Sequence, residues 1–285
     1  MIRPATLLLT AALALPAAAE DGPRVVSIGG DLTEIVYALG AGRLLVGADT
    51  TSTWPAEAEE LAKVGYMRQL AAEGILSLAP DLVIAAGDAG PQTVLDRLEM
   101  AGVEVRVAPD DASVEGVVDK IRFVGAALGR TAEADAAIAA FEAEMATVGE
   151  ALAGLTDRPR VLFLISAGTS SMVAAGAGTS AEAIIALAHG QNALGGFEGF
   201  KPVGAEAIIA AAPDVLLLPS HTAAQPGGLD AILAEPALAA TPAVANGRVV
   251  VMDSLLLLGF GPRTPEAILA LADALHPGLA AAAGE

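Results

Sequence analysis

The chain contains no cysteine. Disulfides, zinc–thiolate centres and cysteine nucleophiles are therefore excluded, and an oxidising compartment would add nothing to its stability. Aromatics are scarce, with one Trp, two Tyr and six Phe in 285 residues, so each exposed ring is informative. The three histidines are His189, His221 and His276, and no two have the H-x-x-x-H spacing by which a helix presents a pair of metal ligands. Positive charge is also short: 15 Lys and Arg against 34 Asp and Glu leave a net charge of −19. That balance argues against nucleic acid as a partner, and it repels a bare anion unless local positive charge lines the site. There is no G-x-S-x-G elbow and no paired-carboxylate motif, so the chain reads as a binder and not an enzyme. After residue 16 no apolar run reaches the roughly 18 residues that span a bilayer.

What the chain does have is a leader and a repeat. Arg3, an apolar run from Thr6 to Leu15 and the small residues Ala17, Ala18 and Ala19 form the pattern of a cleavable signal peptide. Residues 1–19 are expected to be removed and the rest to be periplasmic. With no Cys at the cleavage site, no membrane anchor is expected. The stretch from Glu73 through Pro80-Asp81 to Ala85 then reappears as Glu206 through Pro213-Asp214 to Leu218. Each copy reads as a helix stopped by Ala-Pro-Asp and followed by a buried strand. Arg24-Val-Val pairs with Arg160-Val-Leu, and Glu34–Gly40 with Glu182–Ala188, in the same order. Two similar α/β lobes follow, with a ligand cleft between them.

In the first lobe, residues 20–130, strands are expected at Val25–Ile28, Leu45–Ala48, Leu82–Ala85 and Val103–Val107. Helices are expected near Leu32–Leu39, Ala71–Leu78 and Thr93–Ala101, giving a parallel, doubly wound sheet. Ser113 caps a further amphipathic helix to Gly129. Residues 131–156 read as one long helix, capped by Thr131 and with Glu133 in its first turn, forming a spine that allows only small lobe closure. Residues 157–285 form the second lobe.

Ile28-Gly-Gly-Asp31 lacks the full G-x-G-x-x-G spacing and reads as a strand–helix turn more than as a phosphate cradle. His189 is expected at a helix C-terminus and His276 in solvent. His221 follows strand Val215–Leu218, at the end where α/β sheets bind ligands, and is either a cleft or a plain loop residue. Tyr37 lies in an apolar helical register and reads as core. Val64-Gly-Tyr-Met-Arg68 places a phenol beside a guanidinium, and Arg68 favours a phenolate that ferric iron would accept. A hydrogen-bonded loop tyrosine is the other reading. The second-lobe counterpart is Gly199-Phe-Lys201, so both segments are expected to reach the cleft.

These segments carry a resemblance over the whole mature chain. Val26–Gly40, Asp49–Pro55, the Gly-Tyr-Met-Arg loop, Ala175–Thr179, Gly195–Pro202 and Leu257–Pro265 resemble the periplasmic heme-binding proteins that feed ABC importers. That group belongs to a wider class that also binds siderophores and cobalamin. The resemblance implies a class III periplasmic binding protein: two Rossmann-like lobes on a backbone helix, monomeric, working with a permease and its ATPase. It implies ferric heme as ligand, with Tyr66 as axial iron ligand and Glu73 and Glu206 as permease-docking residues. Arg68 would tune Tyr66 or meet a propionate, and Lys201 and Arg263 would meet propionates. Met67, Met172 and Phe200 would line the porphyrin. Where some relatives place an Arg near Tyr66, this chain has His221, as a second iron ligand, a partner of Tyr66 or neither. A siderophore or corrinoid is the alternative ligand.

Overall fold

The computed structural model describes residues 22–167 and 172–279; the expected leader at 1–19 lies outside them. In lobe one, strands β1 (Val25–Ile28), β2 (Leu45–Ala48), β3 (Ala62–Lys63), β4 (Leu82–Ala85) and β5 (Glu104–Val107) form one sheet. Their order is β3-β2-β1-β4-β5 and every pair is parallel. All of β1 and β4 is buried, as central strands covered on both faces must be.

Lobe two contains β6 (Arg160–Ser166), β7 (Met172–Ala175), β8 (Gln191–Asn192), β9 (Phe200–Val203), β10 (Val215–Pro219) and β11 (Val249–Met252). The order is β11-β10-β6-β7-β9, with β8 also on β6. The β11-β10-β6 half is parallel, but β6–β7 and β7–β9 are antiparallel. The connection from Ser166 to Met172 is too short for the dozen-residue crossover that a parallel neighbour needs. The segment at Phe200 and Lys201, expected as a loop, is the start of β9.

The sequence repeat is exact in its local bonding. Asp81 Oδ2 accepts from Arg24 N at 2.8 Å, and Asp214 Oδ2 accepts from Arg160 N at 2.8 Å. Asp81 N and Asp214 N return bonds of 2.8 Å to the carbonyls of Arg24 and Arg160. Ala79 and Ala212, each just before the proline, take φ of 45° and 41°. Positive φ is uncommon for alanine, so its recurrence at the same point of both copies marks the two lobes as locally alike. The aspartate thus ties the start of one strand to the start of its neighbour in each lobe.

The spine is helix Thr131–Leu152, about 33 Å long. Arg130, not Thr131, is its N-cap residue, and Arg130 Nη1 donates to Glu133 Oε1 at 3.0 Å. The helix lies along Val114–Leu128 of lobe one, which Ser113 caps as expected, and on Thr264–Leu275 of lobe two. One apolar cluster runs from Val25 and Ile35 through Ile121, Ile138 and Phe141 to Phe163 and Leu271. The lobes therefore share a core through the spine and each keeps a second core on its far face. Tyr37 packs half-buried on the shared core.

Candidate ligand-binding site

The carboxyl ends of the strands in the two lobes face each other. On one side are the turns after β1, β2, β3 and β4; on the other are helix Ser220–Ala223 after β10 and helix Ser254–Leu258 after β11. Gly30 shows how close they come: a Cβ there would lie 2.5 Å from Leu255 Cδ1 and 2.6 Å from the Thr51 carbonyl. Only glycine fits. Gly29 N donates to Asp49 Oδ1 at 3.0 Å and Gly30 N to Thr51 Oγ1 at 3.1 Å. Those amides are spent on the fold, so this turn is structural and no phosphate cradle.

The Tyr66 loop lies against the turn after β2, because Thr50 N donates to Gly65 O at 2.9 Å. Tyr66 is 38% exposed. Arg68 Nη1 donates to its phenol oxygen at 3.0 Å, while Arg68 Nε and Nη2 both donate to Asp88 Oδ2, the Nε bond at 2.9 Å. Asp88 comes from the turn after β4. Burial favours the neutral guanidine of Arg68, but the Asp88 hydrogen bond and charge, with Tyr66 adding, outweigh it and hold its pKa above the usual value. The result is a fixed cation aimed at an accessible phenol. Met67 packs on the lobe-one core with Sδ 3.9 Å from Thr51 Oγ1.

Across the cleft, His221 Nδ1 lies 2.8 Å from Ser254 Oγ, and His221 N donates to the same oxygen at 3.2 Å. His221 thus belongs to the carboxyl edge, with its ring oriented by Ser254. Met172 starts β7 at that edge and packs on the lobe-two core. Phe200 and Lys201 are elsewhere. In the β7–β9 register Val203 faces Met172 and Phe200 faces Ala175, so Phe200 lies back from the edge. Its ring tilts against Phe163 at 6.2 Å, and Lys201 Nζ sits 5.9 Å above Phe197. Arg263 gives Nε and Nη2 to Glu34 Oε1 and lies over Trp54.

Glu73 and Glu206 are exposed in the first turns of matching helices, Ala72–Leu76 and Ala205–Ala211. His189 follows its helix, with Nδ1 3.2 Å from Asp157 O. His276, expected in solvent, is instead buried: its ring meets His189 edge-on at 6.0 Å, and Nδ1 lies 3.6 Å from Asp157 Oδ1. The last helix packs on the lobe and carries the ring inward. Among the described residues no group of three His, Asp or Glu side chains could hold a metal ion. Asp88, Trp54, Glu34 and Ser254 had no assigned part from sequence. Asp88 follows a buried strand, and that position was its one available signal.

Residues 25–256 match the periplasmic binding protein family. The chain belongs to that family. Among solved structures it is similar to the periplasmic heme-binding protein BhuT in complex with two hemes, which superposes with a TM-score of 0.85 at 42% identity over 90% of this chain and 99% of its own. RhuT from Roseiflexus sp. RS-1, a periplasmic heme-binding protein in apo form, gives 0.87 at 42% identity with the same coverages of 90% and 99%. Among sequence relatives, the ABC transporter substrate-binding lipoprotein YvrC of Bacillus subtilis is 27% identical over 90% of this chain and 81% of its own. The vitamin B12-binding protein of Yersinia pestis is 28% identical over 67% of this chain and 66% of its own. The family is one of solute-binding proteins, and no described helix is long and apolar enough to cross a membrane.

Proposed function

We propose that this periplasmic binding protein holds ferric heme between its lobes and delivers it to an ABC importer. The observation that carries the reading is Tyr66 at the cleft edge, with Arg68 fixed on its oxygen by Asp88. A siderophore brings its own oxygen donors and gives such a phenol no task. Ferric iron is a hard acceptor, and phenolate is a hard donor. The likeness at 42% identity to two heme-binding proteins supports the same ligand. The likeness to a vitamin B12-binding protein keeps a corrinoid as the alternative. Titration of purified protein with hemin should give a saturating Soret band. Saturable cyanocobalamin binding without a hemin response would reverse the assignment.

In this reading Tyr66 ligates iron, His221 reaches toward the opposite porphyrin face, and Met67 and Met172 supply apolar contacts. Lys201 is the weaker member of the proposed set because β9 carries it back from the edge. Asp88 acts through Arg68. Asp88→Ala should weaken hemin binding by about tenfold or more, the scale on which partners of a metal ligand act. Asp88→Glu should restore part of it. Equilibrium titration checks both, and an Asp88→Ala affinity equal to wild type would remove Asp88 from the site.

The proposed partners are the importer's permease and its ATPase. Glu73 and Glu206 stand at equivalent points of two similar lobes, so together they present paired negative charges. Exposed ion pairs are individually worth about 0.2–1 kcal/mol but fix register and encounter rate. Glu73→Ala with Glu206→Ala should leave hemin affinity unchanged and reduce hemin-stimulated ATPase activity of the reconstituted importer several-fold. Full stimulation by the double variant would refute the docking role. The leader expected at residues 1–19, a monomeric state and freedom from any anchor belong to the same proposal; the lack of a cysteine to carry a lipid supports the last of these.

A further inference from the structure

Trp54 is the sole tryptophan of the chain, yet it is 49% exposed. It stands in the turn after β2, at the carboxyl edge, and that turn is bonded to the Tyr66 loop through Thr50 and Gly65. The opposite lobe reaches over it. The Arg263 guanidinium carbon lies 4.5 Å from the Trp54 ring centroid, within cation–π range. Arg263 has little freedom there, since Nε and Nη2 both donate to Glu34 Oε1 and the Glu34 side chain is only 5% exposed. Burial pushes the Glu34 carboxyl above its usual pKa despite the Arg263 hydrogen bond and charge, so holding this pair in place is costly. A buried carboxylate of lobe one thus orients an arginine of lobe two on a half-exposed indole of lobe one. With Nε and Nη2 given to Glu34, Arg263 acts here first as a positioning residue for Trp54.

We infer that Trp54 is the stacking platform for the ligand's macrocycle, so that the site recognises a flat aromatic tetrapyrrole by ring contact as well as by iron ligation. Among the described residues the large exposed apolar side chains include just three aromatics, Trp54, Tyr66 and Phe200. Phe200 is turned to Phe163, whereas Trp54 and Tyr66 come from adjoining loops at one edge. An indole presents a large, rigid face whose contact with another π-system adds to simple burial, and stacking does not depend on a metal. The inference rests on the heme reading but concerns the ring and not the iron.

The test uses the mature protein with two probes, hemin and metal-free protoporphyrin IX, the second being unable to ligate Tyr66 through iron. Trp54→Ala should weaken both probes by a similar factor, about tenfold. It should leave the phenolate charge-transfer band of bound hemin in place and the thermal midpoint of the free protein close to wild type. Trp54→Phe, which keeps a ring, should stay within about threefold of wild type, and Trp54→Leu, which keeps bulk alone, should resemble Trp54→Ala. Tyr66→Phe should weaken hemin and spare protoporphyrin IX. Wild-type affinity of Trp54→Ala for both probes, or a loss confined to hemin, would overturn the stacking role. Failure of the wild-type protein to bind hemin would overturn the heme reading itself, which separates the two failures.

Discussion

Tyr66→Phe should lower hemin affinity by more than about 100-fold, since even the outer partners of a metal ligand are worth 10- to 100-fold. The substitution keeps the ring and removes the oxygen that receives Arg68 Nη1 at 3.0 Å. Phenol is a poor ligand in its neutral form, and it binds ferric iron as phenolate when metal and nearby cation both favour the anion. Arg68, pinned by Asp88, is that cation. The wild-type complex should therefore be ferric, show a phenolate-to-iron charge-transfer band, and loosen on reduction, because ferrous iron is the softer acceptor. Tyr66→Phe should lose the band and retain a residual affinity from apolar burial of the porphyrin. Absorption spectroscopy during hemin titration checks both. His221→Ala is the companion measurement: it should change the spin state only if His221 ligates the far face. An unchanged spectrum and affinity in Tyr66→Phe would rule out Tyr66 and leave His221 as the ligand.

The legible parts of this molecule are those whose cause lies within a few residues. The Ala-Pro-Asp stop was readable because proline cannot continue a helix from its interior, and the Asp81 and Asp214 bonds to Arg24 and Arg160 follow from the repeat. The spine was readable from its lack of helix breakers, and the Tyr66–Arg68 pair from a separation of two residues. Lobe two was legible in its parallel half and not in β7 and β9, where a short connection reverses the chain against the expectation set by lobe one. That reversal makes Phe200 part of a strand and turns its ring to Phe163.

The missed parts of the site are tertiary. Asp88 meets Arg68 across 20 positions, and Arg263 meets Glu34 across 229. No periodicity or composition signal reports such pairs. A sequence shows the charge of Arg263 without showing its partner Glu34. His276 looked solvated because it precedes Pro277 near the tail, but the helix before it packs its ring inward against His189. Each of these contacts joins residues distant in sequence, which local reading does not report.

Lys120→Met should be the most destabilising of the substitutions considered, at about 3–5 kcal/mol, the cost of leaving one member of a buried ion pair unpartnered. Lys120 is 6% exposed on helix Val114–Leu128, and its Nζ donates to Asp31 Oδ2 at 2.5 Å and to the Gly259 carbonyl at 3.2 Å. One ammonium thus ties two helices of lobe one to the backbone of lobe two. Methionine keeps the apolar stem and strands the Asp31 carboxylate. For a chain of this size the melting midpoint should fall by roughly 10 °C. Asp31→Asn with Lys120→Met removes both charges and should recover much of the loss. The pH dependence follows from Glu34, one turn along from Asp31. Burial first, then repulsion from Asp31 and Asp253, raise its pKa, and the Arg263 hydrogen bond and charge only partly offset them. The folded chain holds that proton more tightly than the unfolded chain does. Its stabilising contribution is therefore full below the unfolded pKa and lost as pH rises through the folded one. Without the Lys120 ammonium, Asp31 and Glu34 repel with one fewer cation between them, so the deficit of Lys120→Met should grow from acid toward neutral pH. Calorimetric melts at a series of pH values decide the matter: a single variant within about 2 °C of wild type, or a double variant less stable than the single, would show that this charge network does not hold the lobes together.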